Sequence, residues 1–134
     1  MKTIYTYATP RPFGNFSMPV PAQNSCMREY ASNNNYKYSL PFLELMYDNC
    51  YAQLFRVIHN MPSNSSFLCY SIHMLPLYDN LKLSKIIKLF TKKNISLHFI
   101  LEGKIVSSGD EILHFKNFKI ISDQIDNDEV IIYE

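Results

Sequence analysis

Two stretches of the chain repeat the same apolar spacing. Tyr51, Leu54, Phe55 and Ile58 fall at i, i+3, i+4 and i+7, and Leu83, Ile86, Ile87 and Phe90 do so again. That spacing places four apolar side chains on one helical face and predicts two amphipathic helices. Asp48 or Asn49 is suited to cap the first, and Asp79 or Asn80 the second. Ala22, Cys26 and Tyr30 predict an earlier helix over residues 22–33. It ends at Asn33-Asn34-Asn35, because Asn tolerates the left-handed conformation that stops helices. Shorter β-type runs separate the helices. Residues 4–7 open the chain. Tyr36, Tyr38 and Leu40 alternate with Lys37 and Ser39, and Pro41 ends that strand's pairing or confines it to an edge. Residues 66–72 are almost continuously apolar, as in a central strand buried on both faces. Residues 96–101 read as a fourth strand.

The order β-loop-α-β-α-β-α-β implies an α/β, three-layer fold with a mostly parallel sheet of four to five strands. A flavodoxin-like order 2-1-3-4 places the switch point between the first and third strands. Residues 1–122 read as a single α/β domain. Ser108 and Glu111 have capping-box spacing, which predicts a short final helix over 111–121 or, given its β-branched content, a strand. Residues 123–134 read as an acidic C-terminal tail or edge strand. The loop between the first strand and the first helix holds Arg11, Gly14 and four prolines. Such a loop lies at the carboxyl end of the sheet, where α/β proteins bind ligands.

Composition narrows the picture. The chain has 134 residues, a net charge of +1 and a 14% aromatic share without Trp. The small net charge predicts no nucleic-acid partner. No run approaches the roughly 18 apolar residues of a membrane span, and the amino terminus lacks a secretory core, so a cytoplasmic location is expected. Cys26, Cys50 and Cys69 are odd in number and form no CxxC, which favours reduced thiols, with Cys69 the one candidate for reactivity. No GxGxxG, Walker or metal-ligand spacing occurs, so no cofactor and no metal are expected. A homodimer is compatible with the many aromatic residues.

Candidate chemistry gathers at the predicted carboxyl ends of the strands. Arg11 and Arg28 offer planar paired donors for a phosphate or carboxylate, and Gln23 and Asn24 open the first helix beside them. The competing reading pairs Arg28 with Glu44 or Glu102. Ser71 and His73, two residues apart, form a weak nucleophile–base pattern next to Tyr70. Glu44 and Glu102 are candidate acid/base carboxylates. His59, His98 and His114 read as surface or half-buried residues.

The ordered segments Arg11-Pro12-Phe13-Gly14, Pro19-Val20-Pro21-Ala22-Gln23-Asn24, Arg28-Glu29-Tyr30, Tyr70-Ser71-Ile72-His73-Met74-Leu75-Pro76 and Leu97-His98-Phe99-Ile100-Leu101-Glu102 resemble the bacterial sporadic carbohydrate cluster proteins. That resemblance implies a role in surface-polysaccharide biosynthesis. The layout is also similar to serine recombinase catalytic domains, which implies a resolvase-like fold. Those enzymes carry Tyr-x-Arg-x-Ser in the first strand. Here the run is Tyr5-Thr6-Tyr7-Ala8-Thr9, which lacks the Arg and the Ser and speaks against their reaction.

Together these readings predict a small cytoplasmic carbohydrate-biosynthesis protein, an enzyme acting on a sugar phosphate or nucleotide sugar. Ser71, His73 and Glu102 would be catalytic. Arg11, Gln23, Asn24, Arg28, Glu44 and Tyr70 would bind the ligand. The alternative is a non-catalytic binding or scaffold module for a glycosyltransferase or other pathway enzyme.

Overall fold

A computed structural model describes residues 1–12, 17–41, 44, 50–107 and 111–112. Five strands and three helices alternate through them: β1 (Lys2–Thr6), α1 (Val20–Asn33), β2 (Tyr36–Tyr38), α2 (Ala52–Asn60), β3 (Ser66–Cys69), α3 (Asn80–Lys93), β4 (Ser96–Phe99) and β5 (Lys104–Val106). The sheet order is β2-β1-β3-β4-β5. The first four strands are parallel, and β5 returns antiparallel to β4 with Phe99 opposite Lys104. The fold is therefore the expected mostly parallel α/β architecture in the order 2-1-3-4, extended by a fifth strand.

Local chemistry explains the element ends. α1 starts two residues before the apolar period, since Pro21 occupies its first turn, where a missing N–H costs nothing. Asp79 caps α3 by accepting from Lys82 N at 3.1 Å. Asn94 closes the same helix at φ 53°, a left-handed position that Asn reaches at low cost. β2 keeps only three residues, and the chain leaves the sheet edge before Pro41. β3 stops at Cys69, and Ile72–Met74 forms a 3₁₀ turn instead of continuing the strand. β5 lies in a stretch to which sequence periodicity assigns no strand. Its hairpin turns at Gly103, whose φ of 63° suits the missing Cβ.

The core has two parts, one on each face of the sheet. Leu54, Ile58, Leu83, Ile86 and Phe90 from α2 and α3 pack with Phe67, Leu97 and Phe99. Met27 and Ala31 of α1 pack with Ile4, Ala8 and Leu68. No helix among the described residues is long and apolar enough to cross a membrane. The expected segments 113–121 and 123–134, and the caps Asp48 and Asn49, fall outside the described residues.

Candidate functional site

Gln23 fastens the proline-rich loop at its base. Its side chain is fully buried, and Nε2 donates to Thr9 O at 2.7 Å and Met18 O at 2.8 Å. Its Oε1 accepts from Thr9 N at 3.3 Å. One amide thus joins the two ends of the connection between β1 and α1. Burying an amide is costly unless its groups are satisfied, and here both donor and acceptor are used. Thr9 is itself 1% exposed, and its Oγ1 accepts from Arg11 N at 3.2 Å.

Arg11 turns inward over the α2 side of the sheet. Its guanidinium donates to Cys50 O at 2.5 Å, Met74 O at 3.2 Å and the Tyr7 hydroxyl at 3.4 Å. The group also lies 4.0 Å above the Tyr51 ring centroid. Tyr7 donates to Glu44 Oε2 at 3.0 Å. Burial raises the Tyr7 phenol well above its ordinary value, with the Arg11 charge opposing, so it remains a donor at neutral pH. Tyr51 is raised for the same first reason, again opposed by Arg11.

Glu44 is 1% exposed and acts as a remote helix cap. Its carboxylate accepts from Gln53 N at 3.0 Å and Leu54 N at 3.3 Å, two of the first N–H groups of α2. Tyr51, the residue at the N-cap position, supplies no side-chain bond. A negative charge is favoured at that end by the unpaired N–H groups and the helix dipole.

A second carboxylate does similar work after β3. Glu102 Oε1 accepts from Ile72 N at 2.7 Å, and Oε2 accepts from Ser71 Oγ at 2.9 Å. Ser71 Oγ in turn accepts from His73 N at 3.1 Å, which caps the 3₁₀ turn. Ser71 is fully buried. It is the backbone of His73 that meets Ser71, and the pair has the geometry of a capped turn. Cys69 is fully buried, and burial followed by the Glu102 charge pushes its thiol well up. A reactive thiolate needs the opposite environment.

The structure therefore brings Arg11 and Glu44 together through Tyr7, and Ser71 together with Glu102. Arg28 stands apart on α1, with its guanidinium 5.3 Å from the Tyr38 ring centroid of β2. Among the described residues, Asn24 Oδ1 and the Tyr38 hydroxyl are buried without a hydrogen-bond partner. Tyr70 packs against the core on the α2–α3 face, and its carbonyl accepts from Leu101 N at 2.8 Å. His98 departs from the expected surface or half-buried position. It is 4% exposed, with Nδ1 2.6 Å from the Tyr30 hydroxyl and Nε2 3.3 Å from Ser96 Oγ. Burial lowers its pKa, so the neutral ring is favoured. Tyr7, Thr9 and Tyr51 were missed by sequence reasoning. The two-residue spacing of Tyr5 and Tyr7 at the end of β1 was the available signal. No group of three or more His, Cys, Asp or Glu among the described residues could hold a metal ion.

A parallel sheet in the order 2-1-3-4 with these connections defines a resolvase-like α/β fold. Solved structures that share it include two recombinase domains. One is the N-terminal catalytic domain of TP901-1 integrase, at 19% identity and TM-score 0.60, covering 92% of this chain and 97% of that one. The other is a resolvase family site-specific recombinase from Streptococcus pneumoniae, at 15% identity and TM-score 0.62, covering 98% of this chain and 97% of that one. No protein-family model matches the chain. No curated protein matches it either.

These findings correct the expected function. The predicted surface-carbohydrate role, with a polysaccharide pathway and a sugar phosphate or nucleotide sugar ligand, gives way because the full-length fold neighbours are recombinase domains. The geometry agrees. Arg11, the expected anion holder, already serves three internal acceptors. The exclusion of a nucleic-acid partner falls with the same comparison.

Proposed function

We propose that this chain is a DNA-associated protein built on the recombinase catalytic-domain fold, and that it binds DNA without forming a serine-linked strand break. The observation that carries the reading is likeness to two recombinase domains over 92% and 98% of the chain. The non-catalytic half rests on the end of β1. Tyr7 and Thr9 stand where the Tyr-x-Arg-x-Ser pattern has its Arg and Ser. A nucleophile needs access and activation. The Thr9 hydroxyl is buried and already accepts from Arg11 N.

Residues 1–122 act as one domain in this reading, and the protein works in the cytoplasm. In this reading the ordered motifs that resemble sporadic carbohydrate cluster proteins reflect kinship within the fold. The Arg11–Tyr7–Glu44 and Ser71–Glu102 groups hold the loops at the carboxyl end of the sheet.

Fluorescence anisotropy with a labelled DNA duplex at low salt tests the first half. Salt-sensitive binding is expected, and no binding at roughly 50 mM salt, where phosphate contacts are strong, overturns it. A denaturing gel tests the second half. No protein–DNA adduct is expected, and an adduct that disappears in Thr9→Val contradicts the proposal.

A further inference from the structure

The outer face of α3 carries three lysines without a hydrogen-bond or ion-pair partner among the described residues. The helix sequence Asn-Leu-Lys-Leu-Ser-Lys-Ile-Ile-Lys-Leu-Phe-Thr-Lys-Lys contains five lysines and no acid. Two of the five have internal duties. Lys93 Nζ donates to the carbonyls of Ile58, His59 and Met61 at the end of α2. Lys82 lies 4.0 Å from Asp79 and 5.4 Å from the Tyr51 ring centroid. Lys85, Lys88 and Lys92 are exposed and have no hydrogen-bond or ion-pair partner among the described residues.

Helical geometry groups those three. At 3.6 residues per turn they fall within an arc of about 60° and span about 10 Å of helix axis. Leu81, 78% exposed, continues the same stripe toward the helix start, and Tyr78, 66% exposed, lies just before it. The opposite face is anchored in the core by Leu83, Ile86 and Phe90, so the cations are held on a rigid support.

We propose that this stripe is the nucleic-acid docking surface of the protein, with Lys85, Lys88 and Lys92 meeting successive phosphates of one backbone. The inference rests on the DNA-binding reading above and names the surface that performs it. Charge complementarity selects the occupant. Closely spaced lysines suit a regular row of negative charges, and their counterion release makes the contact strongly salt-dependent. The lysines act as point charges and carry no sequence readout of their own.

The test compares duplex binding by the wild-type chain, the triple variant Lys85→Gln, Lys88→Gln, Lys92→Gln, and a control of equal charge change, Lys2→Gln, Lys37→Gln, Lys104→Gln. Glutamine retains helix propensity, and circular dichroism verifies the fold. The α3 variant is expected to lose about tenfold or more in affinity at low salt, and its log–log salt slope to shrink by about 2–3. The control is expected to lose less. Equal losses in both variants, or wild-type affinity in the α3 variant, overturn the surface while leaving DNA binding intact. Absence of wild-type binding overturns the DNA reading and the surface together. Equal competition by polyglutamate overturns the nucleic-acid assignment in favour of an acidic protein partner.

Discussion

The carboxyl end of the sheet and the outer face of α3 both carry polar side chains, but in opposite conditions. At the sheet end, Arg11, Gln23, Glu44, Ser71 and Glu102 all find partners inside the fold. On α3, Lys85, Lys88 and Lys92 are exposed and have no such partners among the described residues. The first region has the residue types associated with catalysis, yet its groups are already spent on capping helices and fixing loops. The second has only lysines, yet its charge is available. Residue type alone does not mark a site; unsatisfied polarity in a fixed position is the better guide.

Removing Glu44 breaks the comparison most forcefully. Glu44→Ala strips the acceptor from Gln53 N, Leu54 N and the Tyr7 hydroxyl. A loss of about 2–4 kcal/mol is expected in urea unfolding, the cost of leaving buried donors without their charged acceptor. If Glu44 were a catalytic or ligand group instead, stability would be little changed. Ser71→Ala should cost less, about 1–2 kcal/mol, because Glu102 keeps its bond from Ile72 N while the cap on the 3₁₀ turn is lost. Unchanged stability in this variant would release Ser71 from the structural role.

Acid sharpens the same point at a third buried place. Burial lowers the pKa of His98 from 6.5 in the fold and favours its neutral ring. The unfolded chain binds the proton more readily. Stability from this group is therefore complete above pH 6.5 and falls as pH drops from there toward the lower folded value. In His98→Gln the slope of stability against pH in that window should flatten. An unchanged slope would show that another group carries it.

Much of the frame was readable in the pattern of residues. Leu83, Ile86 and Phe90 marked α3, and the apolar run at 67–69 marked the central strand, because burial imposes periods that composition cannot hide. β5 was not readable, since a three-residue strand is too short to show alternation. The site was only half legible. Arg11, Glu44, Ser71 and Glu102 were correctly placed at one end of the sheet, but a sequence shows which groups can bond and not which already do. Glu44 bonds to N–H groups nine and ten residues away, a cap with no local signature. The net charge of +1 also misled. It averages five lysines within residues 82–93 against five acids within residues 123–134, so a basic helix disappears in the sum.

Arg11 provides the most direct test, since it is either an internal clamp or an anion ligand. The measurement is the log–log salt dependence of duplex affinity for the wild-type chain and Arg11→Gln, at a temperature where both are folded. The account predicts equal slopes, because the guanidinium is committed to Cys50, Met74 and Tyr7. A slope smaller by about one in the variant, the signature of a lost phosphate contact, would contradict it.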